Sequence, residues 1–197
     1  MDRRDFLKNS SLVAGGLLLS SFQLSACKTK PKIRKISPNE KVNLACVGIG
    51  NRGADIIKAL YNTGHCNVVA LCDTDLGANH TLDILNRFPD AKRFQDFRAM
   101  FDEISNEFDA VCIGTPDHSH FPIAMLAMSF GKHVFVEKPM AHTFEEVELM
   151  MRAVKRYGVV TQMGNQGHSE ANYFQFKAWK EAGIIKDVTA ITAHMNN

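Results

Sequence analysis

The stretch "VNLACVGIGNRGADIIKAL" constrains this chain more than any other. Six mostly apolar residues, 42–47, run straight into Gly48, Gly50 and Gly53 in G-x-G-x-x-G spacing, and a helical apolar pattern follows over 52–62. A strand that passes through a glycine turn into a helix opens a βαβ unit, so the next strand returns parallel to the first. The first glycine allows the tight turn, the second lets the backbone approach a pyrophosphate, and the third lets the helix pack closely on the sheet. The helix start presents unpaired N–H groups to phosphates. Asn51 and Arg52, between the glycines, belong to the same candidate cofactor-binding loop.

The rest of the chain repeats the alternation. Strands are predicted at 42–47, 67–72, 92–95, 109–113, 132–136 and 159–163, with helices at 52–62, 75–87, 97–104, 119–130, 143–157 and 170–182. Near-continuous apolar strands separated by helices mean a parallel sheet covered on both faces. Right-handed crossovers then make it a doubly wound α/β sheet of Rossmann type, assigned to residues 42–165. Residues 166–197 read as the incomplete beginning of an α+β second domain, with an alternating strand at 186–195. One helix and one strand cannot bury a core of their own. Asp73 closes the second strand twenty residues beyond Gly53, where a carboxylate accepts the adenosine-ribose hydroxyls and repels a 2′-phosphate. Residues 74–80 contain no arginine to receive such a phosphate, so the cofactor is read as NAD rather than NADP.

Residues 1–27 have another character. Arg3, Arg4 and Lys8 precede an uncharged run of 13 residues, 10–22, and "LSAC" closes the segment at Cys27. That run falls short of the roughly 20 residues a spanning helix needs. "RRDFLK" resembles a bacterial twin-arginine leader, and "LSAC" resembles the lipobox of bacterial lipoproteins. The resemblance implies a protein handled by the twin-arginine export machinery, placed in the periplasm and anchored to the membrane through lipidated Cys27. That route carries folded proteins, so a cofactor can be enclosed before export. Residues 28–41, with six basic side chains against Glu40 alone, read as a basic tether suited to an anionic lipid surface. The first 41 residues hold 9 of the 23 basic and 3 of the 21 acidic residues, which leaves 14 against 18, a net −4, for the remainder. That balance gives a nucleic-acid-binding role no support. Cys46, Cys66, Cys72 and Cys112 are read as buried free thiols rather than a disulfide framework.

The fourth and fifth strands lead into "GTPDHSHFPIA" and "GKHVFVEKPMAHTFEE". Ligands of doubly wound sheets sit beyond the carboxyl ends of strands, where both segments fall. His118 and His120 form an H-x-H, but no carboxylate or cysteine stands at supporting metal-ligand spacing. "CIGTPDHSH" followed by "GKHVFVEKP" resembles the Gfo/Idh/MocA oxidoreductases, relatives of glucose–fructose oxidoreductase and inositol dehydrogenase. The resemblance runs from about residue 42 to 197, and E-K-P is its most specific part. It implies Lys138 beside substrate and nicotinamide, Glu137 on the cofactor, and Thr115, Pro116 and His120 lining the nicotinamide end. Asn165, Gln166 and His168 fall at the domain junction, where the family keeps polar residues. Chemistry agrees with a cationic side chain there. Hydride removal from a carbinol needs its hydroxyl proton taken or its developing oxyanion stabilised.

The implied activity is NAD-dependent hydride transfer at a secondary alcohol of a sugar, sugar derivative or cyclitol, with tightly held cofactor. Two alternatives stand beside it. One is NAD-dependent glycoside cleavage or epimerisation through a transient keto-sugar; the other is an inactive nucleotide-binding fragment. The glycosidase branch replaces E-K-P, so that element favours the dehydrogenase. The family also places a substrate-site histidine, usually four residues after an aspartate, on a second-domain helix that this sequence does not reach. Little turnover is therefore expected of the chain as given, and the full-length form is expected to be a homo-oligomer.

Overall fold

A computed structural model describes Pro31 and residues 33–194. The leader and its Cys27 lie outside the described residues. Six strands, β1 (Val42–Val47), β2 (Cys66–Cys72), β3 (Lys92–Phe94), β4 (Ala110–Ile113), β5 (His133–Glu137) and β6 (Thr161–Gly164), form one sheet in the order β3-β2-β1-β4-β5-β6. Every pairing is parallel. This is the doubly wound sheet that the alternation implies, and the order reverses between β1 and β4. The helices are α1 (Asn51–Asn62), α2 (Leu82–Arg87), α3 (Phe97–Ile104), α4 (His120–Ser129), α5 (Phe144–Tyr157) and α6 (Ala171–Glu181).

The core divides by sheet face. Leu44, Cys46, Leu71 and Cys112 point to the side covered by α1 and α2, with Ile56, Ile57, Ile84 and Leu85 against them. Ala45, Val47, Val111, Ile113, Val134 and Val136 point to the other side, under Met100, Phe101, Ile123, Met128 and Met150 of α3, α4 and α5. Alternate residues of β1 thus enter opposite cores, which is why its sequence is apolar throughout. Local signals set the helix ends. Asp96 accepts from the Arg98 N–H (2.8 Å) at the start of α3. Thr143 and Glu146 bond reciprocally at the start of α5 (3.2 and 3.3 Å).

Three stretches differ from expectation. Residues 75–81 are turns, and α2 begins only at Leu82. Gly77 takes φ +98°, and the Thr81 hydroxyl receives the Gly77 N–H (3.0 Å) while donating to the Ala78 carbonyl (2.8 Å). Residues 186–194 form no strand, because among the described residues no neighbour supplies a ladder. The later half of the basic segment is not a free tether. Ile33 packs against the α3–α5 core, and Arg34 grips Asp109 through both carboxylate oxygens (3.3 and 3.2 Å). Asp109 is only 7% exposed and also receives the Asn43 N–H (2.9 Å). An apolar anchor and a partner for a buried charge hold this stretch at the amino ends of β1 and β4. Beyond β6, α6 turns Phe174, Phe176 and Trp179 to solvent.

Candidate cofactor and active site

The carboxyl ends of β1, β2 and β4 open into a cleft of about 570 Å³. Its floor is the glycine loop. Gly48 has φ +78°, and a Cβ there would stand 2.5 Å from the Thr115 nitrogen. A Cβ on Gly53 would overlap the Gly48 carbonyl oxygen and lie 2.9 Å from the Gly48 carbonyl carbon. Loop, helix and the turn after β4 therefore meet backbone to backbone. Asn51, at φ +45°, and Arg52 begin α1 and line the same cleft. The Gly50 Cα faces the ring of His80, which a Cβ would overlap.

Asp73 stands at the end of β2. Its Oδ2 accepts the Ile49 N–H (2.9 Å) and its Oδ1 accepts the Asp75 N–H (3.0 Å), so the carboxylate fastens the loop to β2. A carboxylate has about four acceptor positions, so these two bonds leave capacity for a diol. Cys72, its neighbour at the end of β2, is buried, and burial, with the charges of Asp73 and Asp96, pushes its thiol up to about 12. That removes Cys72 as a nucleophile at neutral pH.

Thr115 and Pro116 line the wall after β4. The Thr115 hydroxyl oxygen is buried with no hydrogen-bond partner among the described residues. His120 does not line this cleft. It is 1% exposed, with Nδ1 2.6 Å from the Pro139 carbonyl and Nε2 2.8 Å from the Thr115 carbonyl. His118, two residues earlier, faces the cleft instead.

Glu137 ends β5 with a buried carboxylate. Arg52 Nε donates to its Oε1 (3.0 Å), and the Lys138 N–H donates to its Oε2 (2.8 Å). The acid is thus engaged with the glycine loop, and Lys138 is exposed just beyond it. Asn165 is exposed after β6, its carbonyl accepting the His168 N–H (3.2 Å). The Gln166 side chain lies outside the described ones. Nothing in the sequence pattern singled out His80, because 75–87 read as one helix. The signal was local: Gly77 and Thr81 supply a turn that carries His80 over Gly50.

A glycine floor without side chains, an acid at the end of β2, and an orphaned hydroxyl in the wall fit a dinucleotide. Fold and site together define a dinucleotide-binding Rossmann domain. The sequence model of an oxidoreductase family with NAD-binding Rossmann fold, GFO/IDH/MocA, matches residues 42–165. The chain belongs to that family, and NAD is its cofactor.

Curated relatives include a glycosyl hydrolase family 109 protein of Shewanella pealeana, 28% identical over 91% of this chain and 47% of its own length. Another of that name, from Shewanella amazonensis, is 30% identical over the same shares. The chain spans about half the length of these curated relatives. Among solved structures, myo-inositol 2-dehydrogenase of Lactobacillus plantarum aligns over 74% of this chain and 42% of its own, at 26% identity and TM-score 0.66. The WlbA dehydrogenase of Bordetella pertussis, in complex with NADH and UDP-GlcNAcA, aligns over 73% and 43%, at 27% identity and TM-score 0.63.

Proposed function

We propose that this chain is the cofactor half of an NAD-dependent oxidoreductase acting on a secondary alcohol of a sugar, sugar derivative or cyclitol. The observation that carries the reading is the Arg52–Glu137 pair, which draws the E-K-P turn against the glycine loop and leaves Lys138 exposed beside it. Gly48, Gly50 and Gly53 would receive the pyrophosphate, Asp73 the adenosine ribose, and Thr115 with Pro116 the nicotinamide end. NAD supplies a hydride acceptor. Lys138 orients the substrate hydroxyl and takes its proton or stabilises its developing charge. Dehydrogenases among the structural relatives support this assignment.

A second reading keeps the same residues. Relatives named glycosyl hydrolase family 109 favour transient oxidation that labilises a neighbouring bond, with no net redox change. Export and lipidation at Cys27, and assembly as a homo-oligomer, belong to the same proposal. Basic residues before the domain support a membrane-apposed site.

The test is incubation of the purified full-length protein, with its substrate domain, with NAD and a panel of polyols, sugars and aryl glycosides. NADH accumulation with Lys138 intact and its loss in Lys138→Met supports the dehydrogenase. Aglycone release without NADH supports the second reading. Binding of NADP as tight as NAD would sink the role given to Asp73.

A further inference from the structure

Gly50 is the glycine of the loop that lets the backbone approach a pyrophosphate. That approach needs open space on the side where a side chain would stand. In this chain the space is taken. A Cβ on Gly50 would lie 3.2 Å from both Cγ and Nε2 of His80 and would overlap Cδ2 between them. The edge of the imidazole therefore rests on the Gly50 Cα, and both residues line the cleft. A phosphate seated on Gly50 and the ring in this position exclude each other.

The backbone beneath the ring is held in place. Thr81 is fully buried, and its N–H and hydroxyl both donate to the Ala78 carbonyl (2.8 Å each). The same hydroxyl accepts the Gly77 N–H (3.0 Å), and the Ala78 N–H donates to the Asp75 carbonyl (3.1 Å). The Asp75 N–H in turn donates to Asp73 (3.0 Å), so the turn is tied to the acid assigned to the adenosine ribose. His80 itself is exposed. Exposed side chains change rotamer in picoseconds to nanoseconds. The motion that clears Gly50 thus belongs to the His80 side chain and not to the turn.

We propose that His80 is a displaceable cover on the pyrophosphate seat: its ring rests on Gly50 and turns aside before the dinucleotide settles on the glycine loop. The inference rests on the placement of the pyrophosphate on Gly48, Gly50 and Gly53, and it adds a residue that sets how readily NAD enters. Ring rotation is fast beside nucleotide encounter, so the cover acts through population rather than through a slow opening. With the ring turned aside in about a tenth of molecules, association rate and affinity both fall about tenfold, and the dissociation rate stays the same.

Stopped-flow binding of NADH, followed by the fluorescence of the nucleotide itself, tests the cover on full-length protein stripped of nucleotide. Wild type is compared with His80→Ala and His80→Phe, each checked for folding by circular dichroism. His80→Ala uncovers Gly50, so NADH should associate about tenfold faster, bind about tenfold more tightly and leave at the wild-type rate. His80→Phe keeps a ring of similar breadth and should associate about tenfold more slowly than His80→Ala. An unchanged association rate in His80→Ala overturns the proposal. So does faster dissociation with no gain in association, which would mean that the ring grips the bound dinucleotide instead of covering its seat. In both cases wild-type binding leaves the glycine-loop site standing. Failure of wild type and both variants alike to bind NADH would refute the placement of the pyrophosphate on Gly50, and the cover with it.

Discussion

The Arg52–Glu137 pair permits the most direct test of how the site is held together. Glu137 is 4% exposed, and its carboxylate has two donors, Arg52 Nε at 3.0 Å and the Lys138 N–H at 2.8 Å. Replacing Arg52 by Met keeps an apolar stem and removes the guanidinium, leaving a buried charge with one N–H. A hydrogen bond to a charged group contributes about 1.5–3 kcal/mol. The Arg52 side chain is 46% exposed, so water takes over part of its role and the lower end applies. Arg52→Met should therefore lower stability by about 1.5 kcal/mol. Glu137→Gln removes the charge that needed Arg52, so the two changes together should cost less than their sum. Urea unfolding of wild type, both single variants and the double variant gives the coupling directly. A value of about 1 kcal/mol is expected, and one within about 0.3 kcal/mol of zero would show that the pair does not join loop to strand.

Three further outcomes follow from the geometry. Gly53→Ala places a methyl group on the Gly48 carbonyl. Overpacking of about 1–3 kcal/mol outweighs the roughly 1 kcal/mol that Ala returns as a helix former, so thermal melts should fall and NAD should bind more weakly. His133 is held below its ordinary range by burial, which outweighs the opposing charge of Asp109, and its Nδ1 accepts the Val160 N–H (2.9 Å). The unfolded ring thus binds its proton at higher pH than the folded one. Stability from this group is present above pH ~6.5 and lost as pH falls through the lower folded value. Unfolding midpoints of His133→Gln should lose that slope, and a retained slope would place it elsewhere. Burial raises the thiols of Cys46, Cys66 and Cys72. Alkylation of the folded protein at neutral pH should therefore spare all three until denaturant is added, and rapid native labelling of Cys72 would contradict its burial at the end of β2.

What was legible in the sequence is what local pattern and spacing encode. The strand at 42–47 and the helix at 97–104 appear with the expected bounds, because an apolar run before a glycine turn and a capped amphipathic stretch need no distant partner to be recognised. The parallel, doubly wound character of the sheet follows from alternation and handedness. Two features that organise the site were not legible. Arg52 and Glu137 stand 85 residues apart, and no spacing rule connects them. His120 lies two residues from a cleft-facing histidine in an H-x-H, and only the start of α4 decides which ring turns inward. The missed turn at 75–81 and the strand expected at 186–195 show the same limit from the other side. Periodicity carried helix through a glycine turn, and it offered a strand where no neighbour pairs with it.

The docking of residues 33–40 changes how the domain answers a pull. The segment leads into β1, which is hydrogen-bonded to parallel strands on both sides. Tension applied through the chain's amino end runs along the axis of β1, so its ladder bonds are loaded together in shear rather than opened one after another. The Arg34–Asp109 grip meets that load before the ladder does, at the end of the strands farthest from the glycine loop. Drag on this chain from its amino side is thus absorbed at one end of the strands, and the cleft at the other end keeps its shape until the sheet itself yields.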